Sequence, residues 1–291
     1  MTPSTTRSSK RRWFLAAALA LSVFVTCLVL AGLANAVAVP VVRSVSLSLQ
    51  GLPAGTPPIK VALLSDIHLG NRGMRPQRLS DIADRVNAAH PDLILIAGDF
   101  LTGHDAVGAV ERANGLTAPL ARLRATYGVV AVLGNHDLWT APAAIRSALT
   151  RAGVIILENR AVRRGPLTIV GAGDRFSGND DIPRSLAEAR RLGGAPVVLT
   201  HSPDLAPHLP AAFPLLLAGH THCGQVVIPW VGPAVTRAPR FHWRQLYIPR
   251  YRCGLVREGK RITIVTAGLG SGTAPIRLGA MPDWWLLTFH S

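Results

Sequence analysis

The chain has little lysine, little acid and little cysteine. Only three of its 31 Lys and Arg residues are lysine, and its 16 Asp and Glu leave a formal net charge of +15. Its three cysteines form no C-x-x-C pair, which excludes a small disulfide scaffold and a cysteine-based structural zinc site. With 48% apolar and 16% charged residues, the chain is not disordered. Its 291 residues suffice for one large or two small domains, each with a core.

Composition alone leaves the basic excess open to two interpretations. A strongly positive chain suits an anionic partner, such as nucleic acid or a membrane surface. An arginine-rich composition also follows from a GC-rich genome. The positions of the charges along the chain are therefore more informative than their sum.

The N-terminal region lacks charge throughout residues 13–42, which follow a basic, acid-free stretch at residues 1–12. Such a run is long enough to span a bilayer as a helix. The positive-inside rule then puts residues 1–12 in the cytoplasm and the rest outside the inner membrane. We expect an uncleaved single-pass anchor. Export followed by cleavage is the alternative, because Ala34–Ala36 (ANA) fits a signal-peptidase site and Arg11–Leu15 (RRWFL) resembles a twin-arginine signal.

Prolines and glycines over residues 43–58 predict a linker, so we expect one catalytic domain over residues 59–291. Within it, short runs rich in Val, Ile and Leu predict buried strands. Amphipathic segments between the early runs predict helices after Pro76, after Thr140 as an N-cap, and over residues 182–192. This alternation predicts an α/β fold. The predicted strands are Ile59–Leu64, Leu93–Ala97, Val129–Leu133, Leu167–Val170, Val197–Leu199, Leu215–Ala218, Ile262–Val265 and Trp284–Phe289.

Five of the predicted strands end in Asp, Asn or His. Ligands bind at the carboxyl edge of open α/β sheets, so we expect these side chains to meet there. If the backbone stays extended, the side chains of the first and third residues of D-x-H and of H-T-H point to the same face of the strand. Oxygen and imidazole donors without thiolate suit Mn, Fe, Zn or Ni. The strand-end residues are Asp66, His68, Asp99, Asn135, His136, Asp137, His201, His220 and His222. The other histidines receive no functional role: His90, His104, His208, His242 and His290.

The series D-x-H, G-D, G-N-H-D, H and G-H-T-H resembles the calcineurin-like metallophosphoesterase superfamily. The resemblance runs from about residue 59 to the C-terminus and implies a four-layer α/β/β/α sandwich. It implies that Asp66, His68 and His222 bind one divalent ion. Asn135, His201 and His220 would bind a second ion, and Asp99 would bridge the two.

The same resemblance implies a chemistry. Two ions clamp a phosphate and activate a hydroxide for attack on phosphorus. His136 would be the catalytic histidine, stabilising charge or protonating the leaving group, and Asp137 would orient its imidazole.

Differences from other branches of the superfamily narrow the range of possible substrates. Ser/Thr protein phosphatases carry G-D-x-x-D-R-G, whereas this chain reads GDFLTG at Gly98–Gly103. Gly219–Gln225 (GHTHCGQ) is similar to a membrane-associated bacterial subgroup, some of whose members hydrolyse UDP-2,3-diacylglucosamine. We therefore expect hydrolysis of a phosphodiester or pyrophosphate in a lipid-linked or cell-envelope substrate. That UDP-linked lipid is made on the cytoplasmic side, so the predicted topology favours a phospholipid or another envelope phosphoester. The alternative is a non-catalytic, membrane-anchored binding protein that retains the fold.

The segment 231–261 carries eight basic residues, one acid and several interleaved aromatics. It is either a surface for anionic headgroups or an ordinary solvated region. We expect no nucleic-acid partner, because no recognisable binding module is present. A disulfide between Cys223 and Cys253 is chemically possible outside the cytoplasm, but the sequence alone does not lead us to expect it.

Overall fold

The N-terminal apolar segment forms one helix, α1, over Thr5–Ala36. Within α1, the 27 residues Lys10–Ala36 are long and apolar enough to cross a membrane. The membrane segment predicted to reach residue 42 is too long, because the helix ends at Ala36. Pro40 has no backbone N–H and disfavours helix before it, and the chain then enters a strand at Val41.

The computed structural model describes residues 5–103, 106–238, 242–272 and 274–291. His104, and Arg240 and Phe241 of the basic segment, lie outside the described residues. After α1 the helices are α2 (Pro76–Ala88), α3 (Ala109–Leu120), α4 (Asn135–Thr140), α5 (Pro142–Arg151) and α6 (Ile182–Leu192). The strands are β1 (Val41–Ser48), β2 (Ile59–Leu64), β3 (Leu93–Ala97), β4 (Val129–Val132), β5 (Val154–Ile156), β6 (Arg160–Arg164), β7 (Leu167–Gly171), β8 (Ala195–Leu199), β9 (Leu215–Ala218), β10 (Val227–Ile228), β11 (Gly232–Pro233), β12 (Arg237–Ala238), β13 (Arg244–Gln245), β14 (Gly254–Glu258), β15 (Arg261–Val265) and β16 (Asp283–His290).

Two six-stranded mixed sheets form the centre of the molecule. Their strand orders are β1-β16-β2-β3-β4-β5 and β14-β15-β9-β8-β7-β6. Strands β2 to β5 run parallel in the first sheet, and β7, β8, β9 and β15 run parallel in the second. The carboxyl ends of the parallel strands therefore gather at one edge of each sheet. Between β9 and β14 lie two short hairpins, β10–β11 and β12–β13.

Alternating side chains along the strands produce four layers. In β2, Val61 and Leu63 join the core between the sheets, while Ala62 and Leu64 face α2, α3 and α5. The outer face of the second sheet packs against α6 through residues such as Val198. The predicted α/β/β/α sandwich is confirmed.

The predicted linker over residues 43–58 is wrong in its first part. β1 pairs in parallel with β16 along its whole length, from Val41 opposite Asp283 to Ser48 opposite His290. Leu47 is buried in the core between the sheets. The catalytic domain therefore includes an edge strand before residue 59.

All three predicted helices are present as α2, α5 and α6, but one predicted cap is wrong. α6 spans Ile182–Leu192 as predicted, and the Asp181 side chain accepts from the Arg184 amide at its N-terminus. Thr140 does not cap α5. It is the last residue of α4, and its hydroxyl donates to the carbonyl of His136.

Candidate metal centre

The strand-end residues converge, but not through extended backbone. Five of the strand-end residues have φ between 49° and 70°, in the left-handed region that residues other than glycine rarely adopt. The extended geometry under which D-x-H and H-T-H would each present two side chains on one side is therefore not present. Such left-handed conformations persist only where surrounding structure holds them, and they cluster at functional sites. The five residues with positive φ are Asp66, His68, Asp99, His220 and His222.

Glycines let these turns approach one another. A Cβ at Gly219 would collide with Ser65 Oγ and Asp66 Oδ2, and one at Gly134 would collide with the Asp99 carboxylate. All three of these side chains are buried and hydrogen-bonded, so they cannot move aside freely. The glycines are thus required for close packing of the strand ends.

Substitution Gly219→Ala is expected to weaken metal binding at least about tenfold, because the new methyl displaces the Asp66 carboxylate. Isothermal titration of the metal-depleted chain with Mn²⁺ measures the effect. Gly73→Ala is the matched control, since Gly73, like Gly219, has no positive φ and the atom nearest to a Cβ there is 3.5 Å away. Equal affinity in both variants and the wild type would contradict the expectation.

One group of donor atoms gathers around Asp66. The Nε2 atoms of His68 and His222 are 3.1 Å apart. Asp66 Oδ1 lies 3.9 Å from His68 Nε2 and 3.5 Å from His222 Nε2. These are the three residues predicted to hold the first ion.

A second group gathers around His201. Its Nε2 is 3.1 Å from Asn135 Oδ1 and 3.2 Å from His220 Nδ1. These are the residues predicted to hold the second ion. Asp99 stands between the groups, since its Oδ2 lies 3.2 Å from His201 Nε2 and 3.6 Å from His68 Nε2.

The donor sets fit divalent ions. Ligands about 2.0–2.1 Å from a shared ion stand roughly 3–3.5 Å apart at tetrahedral or octahedral angles. Most of the separations above fall in or near that range. Asp66 Oδ1 is buried and has no hydrogen-bond partner among the described residues. A buried, unpartnered carboxylate oxygen between two imidazole nitrogens needs a cation.

Backbone carbonyls set the orientation of three of the imidazoles. The Nδ1 atoms of His68 and His201 lie 3.3 Å and 2.6 Å from the carbonyls of Leu101 and Ala97. His220 Nε2 lies 2.8 Å from the carbonyl of Leu246. Because a carbonyl only accepts, each ring donates its outer N–H and presents its other nitrogen to the centre.

Burial shifts the pKa of several of the donor groups. It lowers the pKa of His68 to about 3 and that of His220 to about 4, so both rings are neutral ligands at pH 7. Burial raises the pKa of Asp66 to about 6. That carboxylate is poorly compensated by the protein alone, which again favours a bound cation.

A buried arginine stands behind His222, and sequence reasoning gave it no role. Arg277 is fully buried and donates to the carbonyls of Ala267, Gly270 and Ala280. Its Nη2 lies 3.2 Å from His222 Nδ1. Burial lowers the Arg277 pKa to about 10, so the guanidinium stays charged at pH 7. Burial, His68 and then Arg277 together hold the pKa of His222 well below its usual value.

His136 stands at the rim of the centre with a different partner from the predicted one. Its Nδ1 lies 2.7 Å from the Gly103 carbonyl, and its amide donates to Asp99 Oδ1. The Asp137 carboxylate instead accepts from the backbone amides of Phe100, Leu101 and Gly134. The predicted role of Asp137 as orienting partner of His136 is thus corrected. Asp137 ties the end of β3 to the start of α4.

A cavity of about 540 Å³ opens over the two groups of donor atoms. Asp99, Asn135 and His222 form part of its lining, and Trp139 and Phe176 form an aromatic wall beside them. The centroid of the Phe176 ring lies 4.7 Å from that of His220, and the Arg244 guanidinium stacks over the Phe176 ring at 4.5 Å. The cavity therefore joins a polar base to apolar sides.

A disulfide joins Cys223 to Cys253, with Cα atoms 4.7 Å apart. The expectation from sequence is therefore wrong. The hairpins between the two cysteines fold back, and Thr221 Oγ1 also donates to the Arg252 carbonyl beside the bond. The disulfide fastens the turn that carries His222 to the segment before β14.

Substitution Cys253→Ser is expected to lower the free energy of unfolding by about 3–4 kcal/mol, the loop-closure value for a separation of 30 residues. Denaturant unfolding of the full chain in detergent measures this value. Cys27→Ser is the control, because Cys27 is a free, exposed thiol. An unchanged midpoint for Cys253→Ser would show that the bond does not stabilise the fold.

Comparison with known proteins agrees with this geometry. The family model of calcineurin-like phosphoesterases matches residues 59–224. The uncharacterised metallophosphoesterase YkuE of Bacillus subtilis is 28% identical over 249 residues, 82% of each chain. A cattle "transmembrane protein with metallophosphoesterase domain" is 33% identical over 231 residues, which are 71% of this chain and 50% of that protein. The Pseudomonas putida nuclease MPE overlaps 58% of this chain and 64% of its own at 19% identity and a TM-score of 0.33, too weak a likeness for a functional argument.

The chain belongs to the calcineurin-like metallophosphoesterase family. It is a metal-dependent hydrolase of phosphoesters, with candidate ligands for divalent ions gathered at the strand ends. Helix α1 is long and apolar enough to cross a membrane, and the cattle relative is named as a transmembrane protein.

Proposed function

We propose that this chain hydrolyses a phosphodiester or pyrophosphate bond at a centre of two divalent ions. The observation that carries the proposal is the pair of donor groups that share Asp99. Asp66, His68 and His222 would hold one ion, and Asn135, His201 and His220 the other. The donors suit Mn, Fe, Zn or Ni. When bound, such a pair neutralises phosphate charge and lowers the pKa of a water for attack on phosphorus.

His136 acts on the leaving group in this proposal. Its Nδ1 is held by the Gly103 carbonyl, which leaves Nε2 directed away from that contact. His136 also lines the cavity. A protonated ring there donates to the leaving oxygen as negative charge develops on it.

The cavity supports a substrate with an apolar body. Beside the polar base, its walls include Trp139, Phe176, Val235 and Leu246. Such a surface gives a phosphate ester of a lipid favourable contacts that a small polar ester lacks. A phospholipid, or a lipid-linked ester like UDP-2,3-diacylglucosamine, fits this combination.

We propose that α1 is a retained anchor, with the catalytic domain outside the inner membrane. The basic residues before α1 support this topology through the positive-inside rule. The Cys223–Cys253 bond supports it as well, since disulfides persist in oxidising compartments. This location favours a phospholipid or another envelope phosphoester over the UDP-linked lipid.

The experiment is an assay of the full chain in detergent after loading with Mn²⁺. We expect turnover of a chromogenic phosphodiester, together with bound metal by elemental analysis. A phosphomonoester measured in parallel tests the preference for diesters. Bound metal without turnover of either ester, or no bound metal, would favour a non-catalytic binding protein. A C-terminal reporter active only in the cytoplasm would overturn the proposed topology.

A further inference from the structure

Large apolar side chains stand in solvent on the two hairpins beside the cavity. Trp230, at the turn of β10–β11, is fully exposed, and the exposed fraction of its neighbour Val231 is 79%. Three more large apolar side chains on these hairpins are exposed: Ile228, Val235 and Trp243. Exposed large apolar side chains concentrated on one short stretch of chain mark an interaction surface. We call residues 227–238 and 242–245 the hairpin surface.

The hairpin surface is linked to helix α1 through one short segment of the chain. The Val227 amide donates to the Leu278 carbonyl, and the Leu278 amide donates to the Gln225 carbonyl. The neighbouring Arg277 amide donates to the Gly32 carbonyl of α1, and Asn35 Nδ2 donates to the Arg277 carbonyl. One short segment, residues 276–278, therefore contacts both α1 and the base of the first hairpin. The base of the first hairpin is therefore tied to the C-terminal end of α1.

The charge of the hairpin surface suits an anionic bilayer. Arg237 and Arg244 are both exposed on the second hairpin. Between residues 225 and 261 the sequence has a single acid, Glu258. That acid lies on β14, where Arg250 pairs with it at 3.1 Å. Tryptophan with nearby arginine is typical of the boundary between headgroups and acyl chains.

We propose that the hairpin surface is a second membrane contact, in which Trp230, Val231 and Trp243 enter the headgroup region of an anionic bilayer. The inference rests on the membrane anchoring proposed for α1 and extends it to the catalytic domain. Two observations select a bilayer as the occupant: the continuity with α1 and the positive charge around the apolar tips. A partner protein would need neither.

This contact holds the cavity mouth at the bilayer. Val235 and Arg237 belong both to the hairpin surface and to the cavity lining. A phosphoester in the headgroup layer therefore meets the cavity without leaving the membrane. The surface thus favours substrates that reside in the bilayer over substrates dissolved in water.

The first test reads insertion directly, without activity. Trp230→Cys is labelled with a polarity-sensitive fluorophore in a Cys27→Ala background, and the full chain is placed in nanodiscs of phosphatidylcholine with phosphatidylglycerol. We expect blue-shifted emission and strong quenching by lipids brominated near the headgroup. The control label is at Leu192→Cys, just before β8, at the sheet end opposite His201. Emission from position 230 that matches position 192 would overturn the proposal and leave a partner protein as the occupant.

The lipid composition separates apolar from electrostatic attraction. In phosphatidylcholine alone we expect weaker quenching at position 230, because the arginines lose their anionic partners. Equal quenching in both bilayers would overturn the proposal that Arg237 and Arg244 bind the anionic headgroups.

The second test compares two substrates in one preparation. In the double variant Trp230→Ser and Trp243→Ser, we expect turnover of a bilayer-embedded phospholipid to fall about tenfold, as fits the loss of two interfacial side chains. Turnover of a soluble phosphodiester should stay within about twofold, because neither tryptophan lines the cavity. Equal loss on both substrates would overturn the membrane role. If the wild type hydrolyses neither substrate, the proposed function fails, while the fluorescence test still decides the membrane contact.

Discussion

Replacement of Asp99 by asparagine is expected to remove bound metal from both groups and to lower turnover at least about 10³-fold. Asp99 Oδ1 accepts the His136 amide, so an asparagine at this position keeps its carbonyl oxygen there. Its NH₂ group then replaces Oδ2, the atom within 3.6 Å of His68 Nε2 and 3.2 Å of His201 Nε2. A donor cannot ligate a cation, and the bridging charge is lost as well.

Elemental analysis and kcat on a soluble phosphodiester measure this effect. Asp84→Asn is the matched control, because Asp84 is an exposed carboxylate paired with Arg122. We expect that control to retain its metal and its activity. Full metal content in Asp99→Asn would mean that the two donor groups bind their ions independently of Asp99.

Replacement of His136 by alanine is expected to give the opposite pattern: both ions stay bound, and kcat falls about 10²–10⁴-fold. The His136 ring lies beside the donor groups, with its centroid 5.0 Å from that of His68. Its Nδ1 is bonded to the Gly103 carbonyl instead of facing the shared carboxylate. Loss of the ring therefore removes a proton donor and leaves the donor atoms in place.

Retained metal content together with reduced turnover identifies His136 as a proton donor to the leaving group. A substrate with a good leaving group needs little protonation, so the loss should shrink on a nitrophenyl ester and grow on an alkyl ester. The same loss on both esters would assign His136 to phosphate binding. Loss of metal to the degree seen in Asp99→Asn would make it a ligand.

The sequence predicted the donor residues because side chains that ligate at sheet edges follow strands, and strands are visible as apolar runs. The atoms that orient those donors were not predictable in this way. The partners of His68, His201 and His220 are backbone carbonyls, which every residue type carries. Only the folded path of the chain puts the right carbonyl behind each ring.

Two of the predictions from sequence were wrong for different reasons. The strand over Val41–Ser48 had a signal, since Val45, Leu47 and Leu49 alternate with serines, but the nearby prolines and glycines masked it. The role of Asp137 had no signal of its own. A carboxylate next to a catalytic histidine suggests a dyad. However, the adjacent positions of a helical turn point apart, and this one points toward three amides.

The junction of α1 with the domain bears on the maturation of the protein. The A-x-A motif that fits a signal peptidase is the last turn of α1, where Ala36 is 1% exposed and the Asn35 side chain is bonded to Arg277. A peptidase needs an accessible, unfolded stretch, so a domain exported already folded presents no substrate at this site. Cutting there would also remove the Gly32 carbonyl from Arg277, the residue behind His222. We therefore expect the mature protein to keep its helix, with α1 serving as part of the support of a candidate metal ligand.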